Sequence, residues 1–151
     1  MFNGKFLNAK ERKEIARVLK EQFGAEFKAE DVLLKTNKDK LYVVNEDISE
    51  IDFENLRVDK IGLYLGGLQA DGFRLSIEGS EIIGPLASRN VIEISYDDML
   101  EWMRGKDLAY SGDEENALVI IKHKEYWLGC GKLRDGRILN FVPKTRRISD
   151  V

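Results

Sequence analysis

Three short extended stretches near the end of the chain most narrow what it can fold into: residues 117–121, 126–133 and 137–142. Tight turns separate them, Lys122 to Glu125 and then Arg134-Asp135-Gly136. Strands this short and this evenly spaced bury an apolar face only by curling, which predicts a small, strongly curved antiparallel sheet or barrel. Gly129 and Gly131 mark where that sheet bends.

The upstream chain alternates between helical and extended signals. Ile15, Val18, Leu19 and Phe23 recur at spacings of three and four, which predicts an amphipathic helix over residues 9–23. Asn8 with Glu11 three residues on reads as a capping box, and Gly24 supplies a left-handed stop. Residues 32–35 and 41–44 read as a hairpin around Asn37-Lys38-Asp39. A second extended stretch begins near Leu56 and runs toward Gly66-Gly67, and Ala70-Asp71-Gly72 turns the chain into residues 73–76. Residues 82–87 hold both helix breakers and allow a helical turn or two at most. We place a division between two halves at Ser88 to Asn90, giving segments 1–88 and 89–151. The second opens with a strand at 91–94, then a helix capped by Ser95 with Asp97 and Asp98 in its first turn. Met99, Leu100, Trp102 and Met103 form its apolar side, and Gly105 with Lys106 ends it. Residues 111–116 are a polar loop.

Composition removes several classes. One Cys and one His among 151 residues rule out an internal disulfide framework and the usual His/Cys zinc cluster. The longest apolar run is residues 117–121, far short of the roughly 20 needed to span a bilayer, so the expected setting is cytoplasmic. A hydrophobic share of 43% beside 34% charged residues predicts a folded core.

The net charge of −3 hides an asymmetry. Between Lys122 and Arg147 eight basic residues face two acidic ones, a segment charge of +6, which leaves −9 for the remainder. A polyanion-binding surface on an acidic body has this form, although solvated strand faces also carry such charge. Lys132 and Arg134 share a strand face at period two, Arg137 begins the returning strand, and Lys144, Arg146 and Arg147 follow it. The spacing predicts that these six converge on one edge, and arginine suits a bidentate grip on phosphate. Phe141 and Tyr126 read either as stacking platforms for unpaired bases or as ordinary core aromatics.

The run Leu128-Gly129-Cys130-Gly131-Lys132, followed by residues 136–147 with Asn140-Phe141-Val142-Pro143-Lys144, resembles a PUA-type RNA-binding domain. Its end is similar to the PUA-like module appended to RNA cytosine methyltransferases. Residues 63–68, 71–78 and 90–94 resemble the junction in large-subunit ribosome-biogenesis factors that join a pre-PUA domain to a PUA domain. The resemblance implies an α+β fold: a small α/β pre-PUA-like domain over 1–88, then a PUA-type mixed β pseudobarrel of about six strands over 89–151. It also implies RNA as ligand, no catalysis by this chain, and no cofactor or metal.

Other chemistry is weaker. Cys130 between two glycines, with His123 seven residues before it, makes a conceivable nucleophile pair, but no acidic orienter is evident. Gly66-Gly67 has no Gly-Lys-Ser/Thr after it and is not a phosphate loop. The expected function is non-catalytic RNA binding in rRNA processing or RNA modification. Lys132, Arg134, Arg137, Lys144, Arg146 and Arg147 would grip phosphates and Phe141 would stack a base. The expected partners are rRNA or tRNA and possible pre-ribosomal proteins or an RNA methyltransferase, with neither DNA nor membrane. The alternative is an adaptor, an accessory RNA-recognition subunit for a separate methyltransferase.

Overall fold

The computed structural model describes residues 4–27, 32–36, 40–44 and 62–149. The turn expected at residues 37–39 and residues 56–61 of the extended stretch expected from Leu56 lie outside them. No helix among the described residues is long and apolar enough to cross a membrane.

Among the described residues the first sheet has five antiparallel strands in sequence order: β1 Gly4–Phe6, β2 Val32–Thr36, β3 Lys40–Val44, β4 Leu63–Gln69 and β5 Gly72–Leu75. Helix α1, Ala9–Phe23, carries the full capping box. The Asn8 side chain accepts from Glu11 N, the Glu11 carboxylate accepts from Asn8 N, and Gly24 closes the end at φ 64°. Its buried face is Ile15, Leu19 and Phe23. β4 continues through Gly66-Gly67 with a register shift against β3, and the chain turns after Gln69 as expected; Gly66, at φ 144°, takes a conformation other residues avoid and sits where a Cβ would meet the Arg74 carbonyl at 2.2 Å. One local expectation needs correction. A helix, α2 (Ile77–Ile83), then forms where the sequence allowed a turn or two from residue 82. Ser76 caps it by accepting from Gly79 N, and Gly79 lets the helix lie flush on the Leu65 carbonyl of β4.

The second sheet is mixed, in the order β6-β8-β9-β10-β7. Its strands are β6 Val91–Glu93, β7 Leu108–Ala109, β8 Leu118–His123, β9 Tyr126–Arg134 and β10 Arg137–Asn140. β6 lies parallel to β8, and the other neighbours are antiparallel. This is a curled mixed half-barrel of five described strands, the mixed β architecture expected for this segment with one strand fewer than the roughly six the resemblance implied. The bend expected at Gly129 is present: φ is 91° and the register against β8 shifts between Ile120 and Lys122. Helix α3, Tyr96–Met103, is capped by Ser95 and lays Trp102 under the sheet. The Trp102 indole donates to the Leu128 carbonyl at 2.9 Å.

Two apolar clusters form the interior, and β8 serves both. Leu118 and Ile120 join Leu19, Phe23, Leu65, Phe73 and Leu75, whereas Val119 and Ile121 join Trp102, Leu108, Leu133 and Ile138. Alternate residues of a strand point to opposite faces, so a strand buried on both sides reads as an unbroken apolar run, as residues 117–121 do. The first cluster takes residues from both sheets, and Cys130 belongs to it.

Candidate nucleic-acid interface

A helix ends with carbonyls that need donors. At the C-terminus of α3 each is met. Leu100 and Glu101 accept from Arg104 N, Glu101 also from Lys106 N, and Trp102 from Gly105 N. The Asn140 side-chain amide reaches in from β10, donating to Trp102 O at 2.8 Å and Lys106 O at 2.9 Å while its oxygen accepts from Val142 N at 2.7 Å. Met103 O accepts from Ile148 N. The chain leaving β10 is thereby stapled across the end of α3, with a 3-10 turn at Lys144–Arg146.

Basic side chains collect around this staple. Arg147 donates through Nε to the Val142 carbonyl and lies over Gly105, where a Cβ would meet its Nε at 2.3 Å. Gly105, at φ 90°, is therefore required twice, for its backbone and for the arginine above it. Arg104 and Lys106 share Glu101, whose carboxyl they hold below its usual range, Lys106 contributing first. Arg146 pairs with Glu78 of α2. Among the described residues, Arg104 and Lys106 meet Glu101 and Arg146 meets Glu78, so basic side chains gather at the C-terminal, negative end of the α3 dipole. Sequence reasoning missed Arg104 and Lys106, which it counted with the acidic remainder; the visible signal was Gly105-Lys106, read only as a helix stop.

The remaining predicted site residues do not join this rim, which corrects the expectation that six cations converge on one edge. Arg134 and Arg137 are exposed and directly opposed across the β9-β10 turn. Strand alternation puts them on the face away from Leu133 and Trp102, hence away from α3. Arg137 leans over the sheet edge to Asp107 at 3.7 Å. Lys132, on the same face, is turned inward: its side chain is 12% exposed and its Nζ lies 3.0 Å from Asp71 Oδ2 at the β4-β5 turn. Arg74 donates to the same oxygen at 2.9 Å. The Arg74 hydrogen bond first, and then that from Lys132, hold the Asp71 carboxyl at a pKa of about 2. Phe141 is partly buried against the first cluster, with the Arg74 guanidinium 4.2 Å above its ring centre. Tyr126 is 55% exposed at the opposite end of β9 from Arg134.

Cys130 is 2% exposed, and burial pushes its thiol up to about 12, so the thiolate a nucleophile requires is disfavoured. His123 faces Tyr126 rather than Cys130 across the hairpin, and its Nδ1 lies 2.7 Å from the Ile94 carbonyl. The described residues contain no group of three or more His, Cys, Asp or Glu that could hold a metal ion.

Residues 89–148 match the family model described as the methyltransferase RsmF PUA domain. The chain is similar to proteins named ribosomal RNA small subunit methyltransferase F. That of Aeromonas hydrophila subsp. hydrophila is 33% identical over 89 residues, 59% of this chain and 19% of the relative. Its namesake in Aeromonas salmonicida is 29% identical over the same shares. The Vibrio cholerae serotype O1 protein is 24% identical over 136 residues, 89% of this chain and 28% of the relative. The chain thus spans 19% to 28% of the length of these relatives. The C-terminal segment is of PUA type, and the likeness to the module of RNA methyltransferases is the one these matches carry.

Proposed function

We propose that this chain is an RNA-recognition module serving rRNA modification, that it grips the RNA backbone through the rim at the end of α3, and that it performs no bond chemistry of its own. The observation that carries the reading is the basic rim within a PUA-type segment, where Ile148 N is bound to Met103 O, Arg147 lies over Gly105, and Lys144 and Arg146 stand in the adjoining 3-10 turn. A phosphate presents several acceptors to such a cluster, and arginine forks bind it in two-point fashion. Arg134 and Arg137 form a second, smaller basic point at the β9-β10 turn. We read residues 1–88 as the pre-PUA-like domain, and the setting as cytoplasmic.

Fluorescence polarisation of a labelled single-stranded RNA at several salt concentrations tests the mechanism. Four phosphates at the rim give a logarithmic salt slope of about −3, at roughly 0.7 per phosphate for single strands. Binding indifferent to salt overturns it.

A second reading has one observation in its favour: relatives several times longer than the matched region carry the name of a methyltransferase. In it the chain is the RNA-recognition part of a methyltransferase whose catalytic portion lies elsewhere, and it docks that portion directly. Capture of a methyltransferase that survives nuclease treatment supports this reading, and loss of the partner with the RNA refutes it.

A further inference from the structure

A cleft of about 280 Å³ opens where the two sheets meet. Its wall comes from β4 and β5 (Tyr64, Gly67, Gln69, Arg74), the start of α2, the bend of β9 at Gly129, and residues 141–143. It is distinct from the α3 rim: none of Arg104, Lys106, Lys144, Arg146 or Arg147 lines it.

Three properties of this wall narrow its ligand. Among the described residues it holds two aromatic rings, Tyr64 and Phe141, one cation, Arg74, and no carboxylate. The Arg74 guanidinium lies over the Phe141 ring, 4.2 Å from its centre, so cation and ring stand stacked in the wall. Asp71 serves both Arg74 and Lys132, and one carboxylate between two cations leaves a positive charge uncompensated beside the cleft. Arg74 Nε and Asp71 Oδ1 are both buried without a hydrogen-bond partner, so the pair is incompletely satisfied on each side. Backbone fit adds to this, because Gly67 and Gly129 bring bare main chain to the wall. The volume is at the low end of small-molecule clefts, which span roughly 300–1,000 Å³.

From these observations we infer that the cleft receives one unpaired nucleotide of a bound RNA, its base against the Tyr64 and Phe141–Arg74 surfaces and its phosphate toward the Arg74 guanidinium. The inference rests on the reading of the chain as an RNA binder. A paired nucleotide cannot enter, since its base is stacked and held by its complement, so the cleft discriminates single-stranded from duplex RNA where the rim does not.

The test uses the full chain and two readouts. Labelled single-stranded RNA and a blunt duplex of equal length are titrated against the wild type, Arg74→Met, Gln69→Ala and the rim variant Lys144→Ala/Arg146→Ala. Arg74→Met keeps a flexible stem over Phe141 and removes the charge; Gln69 is exposed, so its truncation leaves the fold intact. The expected result is about tenfold weaker single-strand binding by Arg74→Met, which loses the guanidinium that faces the phosphate, with duplex binding within about twofold. Gln69→Ala moves the same way by less, and the rim variant weakens both RNAs. Cleft variants that bind both RNAs like wild type overturn the inference, as does equal loss on both. Separately, AMP and UMP at millimolar concentration are added to nitrogen-15-labelled protein. Shifts at the Gly67, Gly129 and Val142 amides and the Arg74 Nε–H support the cleft, and silence there overturns it. A wild type that binds neither RNA refutes the RNA reading, and the mononucleotide titration still decides the cleft.

Discussion

Asn140 ties the end of α3 to the chain leaving β10, two stretches of backbone distant in sequence, and its removal has a calculable effect. Its amide donates to Trp102 O and Lys106 O, and its oxygen accepts from Val142 N. A net hydrogen bond contributes roughly 0.5–1.5 kcal/mol, and a buried group left without a partner costs more than one that water can reach. Without Asn140 the Trp102 carbonyl keeps Gly105 N as a donor and water reaches Lys106 O, so the partly buried Val142 N is the group left unpartnered. The sum for Asn140→Ala is about 2–3 kcal/mol. For a chain of this size each kcal/mol moves Tm by roughly 2–4 °C, hence a fall of about 4–12 °C in thermal unfolding followed by circular dichroism. Asn140→Asp separates mechanism from mere truncation. It retains the acceptor for Val142 but sets a carboxylate against two carbonyls at the negative end of α3, so it is expected to be at least as destabilising as alanine. If both variants unfold within about 0.5 kcal/mol of wild type, the staple does not hold α3, and the account of how the rim is positioned fails.

Three further outcomes follow from described contacts. Asp71 has its carboxyl lowered from 3.8 to about 2, so its pairing stabilises the fold above pH 3.8 and that contribution is lost as pH falls through 2; urea unfolding of Asp71→Asn should show a deficit of roughly 2 kcal/mol at neutral pH that shrinks toward pH 2, and a deficit independent of pH would refute the pairing. Lys144→Ala/Arg146→Ala should flatten the RNA salt slope by about 1.4 with Tm nearly unchanged, because both side chains are exposed. Gly131→Ala places a Cβ 2.7 Å from the Trp102 ring and from the Leu139 carbonyl, so a loss of about 1–3 kcal/mol in chemical denaturation is expected, and a neutral result would mean that Trp102 does not pack beneath β9.

What was legible in the sequence was what is decided locally. Asn8, Glu11 and Gly24 define the ends of α1 because capping bonds span three or four residues. Gly129 bends β9 for a reason visible in the residue itself. The helical turn expected within residues 82–87 was placed too late, because Gly84 and Pro85 mark where a helix breaks and not where it starts; Ser76, three residues before Gly79, was the signal for a helix beginning at Ile77. The candidate site was legible as charge but not as geometry. Lys132 meets Asp71 across 61 residues, and no periodicity shows that a lysine on a strand face is consumed by a turn so distant. Arg104 and Lys106 join residues 144–147 through the same kind of long contact, so a charge division drawn along the chain separated groups that the fold brings together.

The double burial of β8 bears on how this protein may be divided for study. A fragment confined to residues 89–148 keeps the Val119 and Ile121 side of the strand covered but strips the partners of Leu118, Ile120 and Cys130, since Leu65, Phe73 and Leu75 remain behind. Such a fragment is born with an adhesive flank, and self-association would be its first property in solution. A piece that keeps both sides of β8 covered is therefore longer than the stretch the family model matches, and amide exchange should find β8 among the last strands to open in the intact chain.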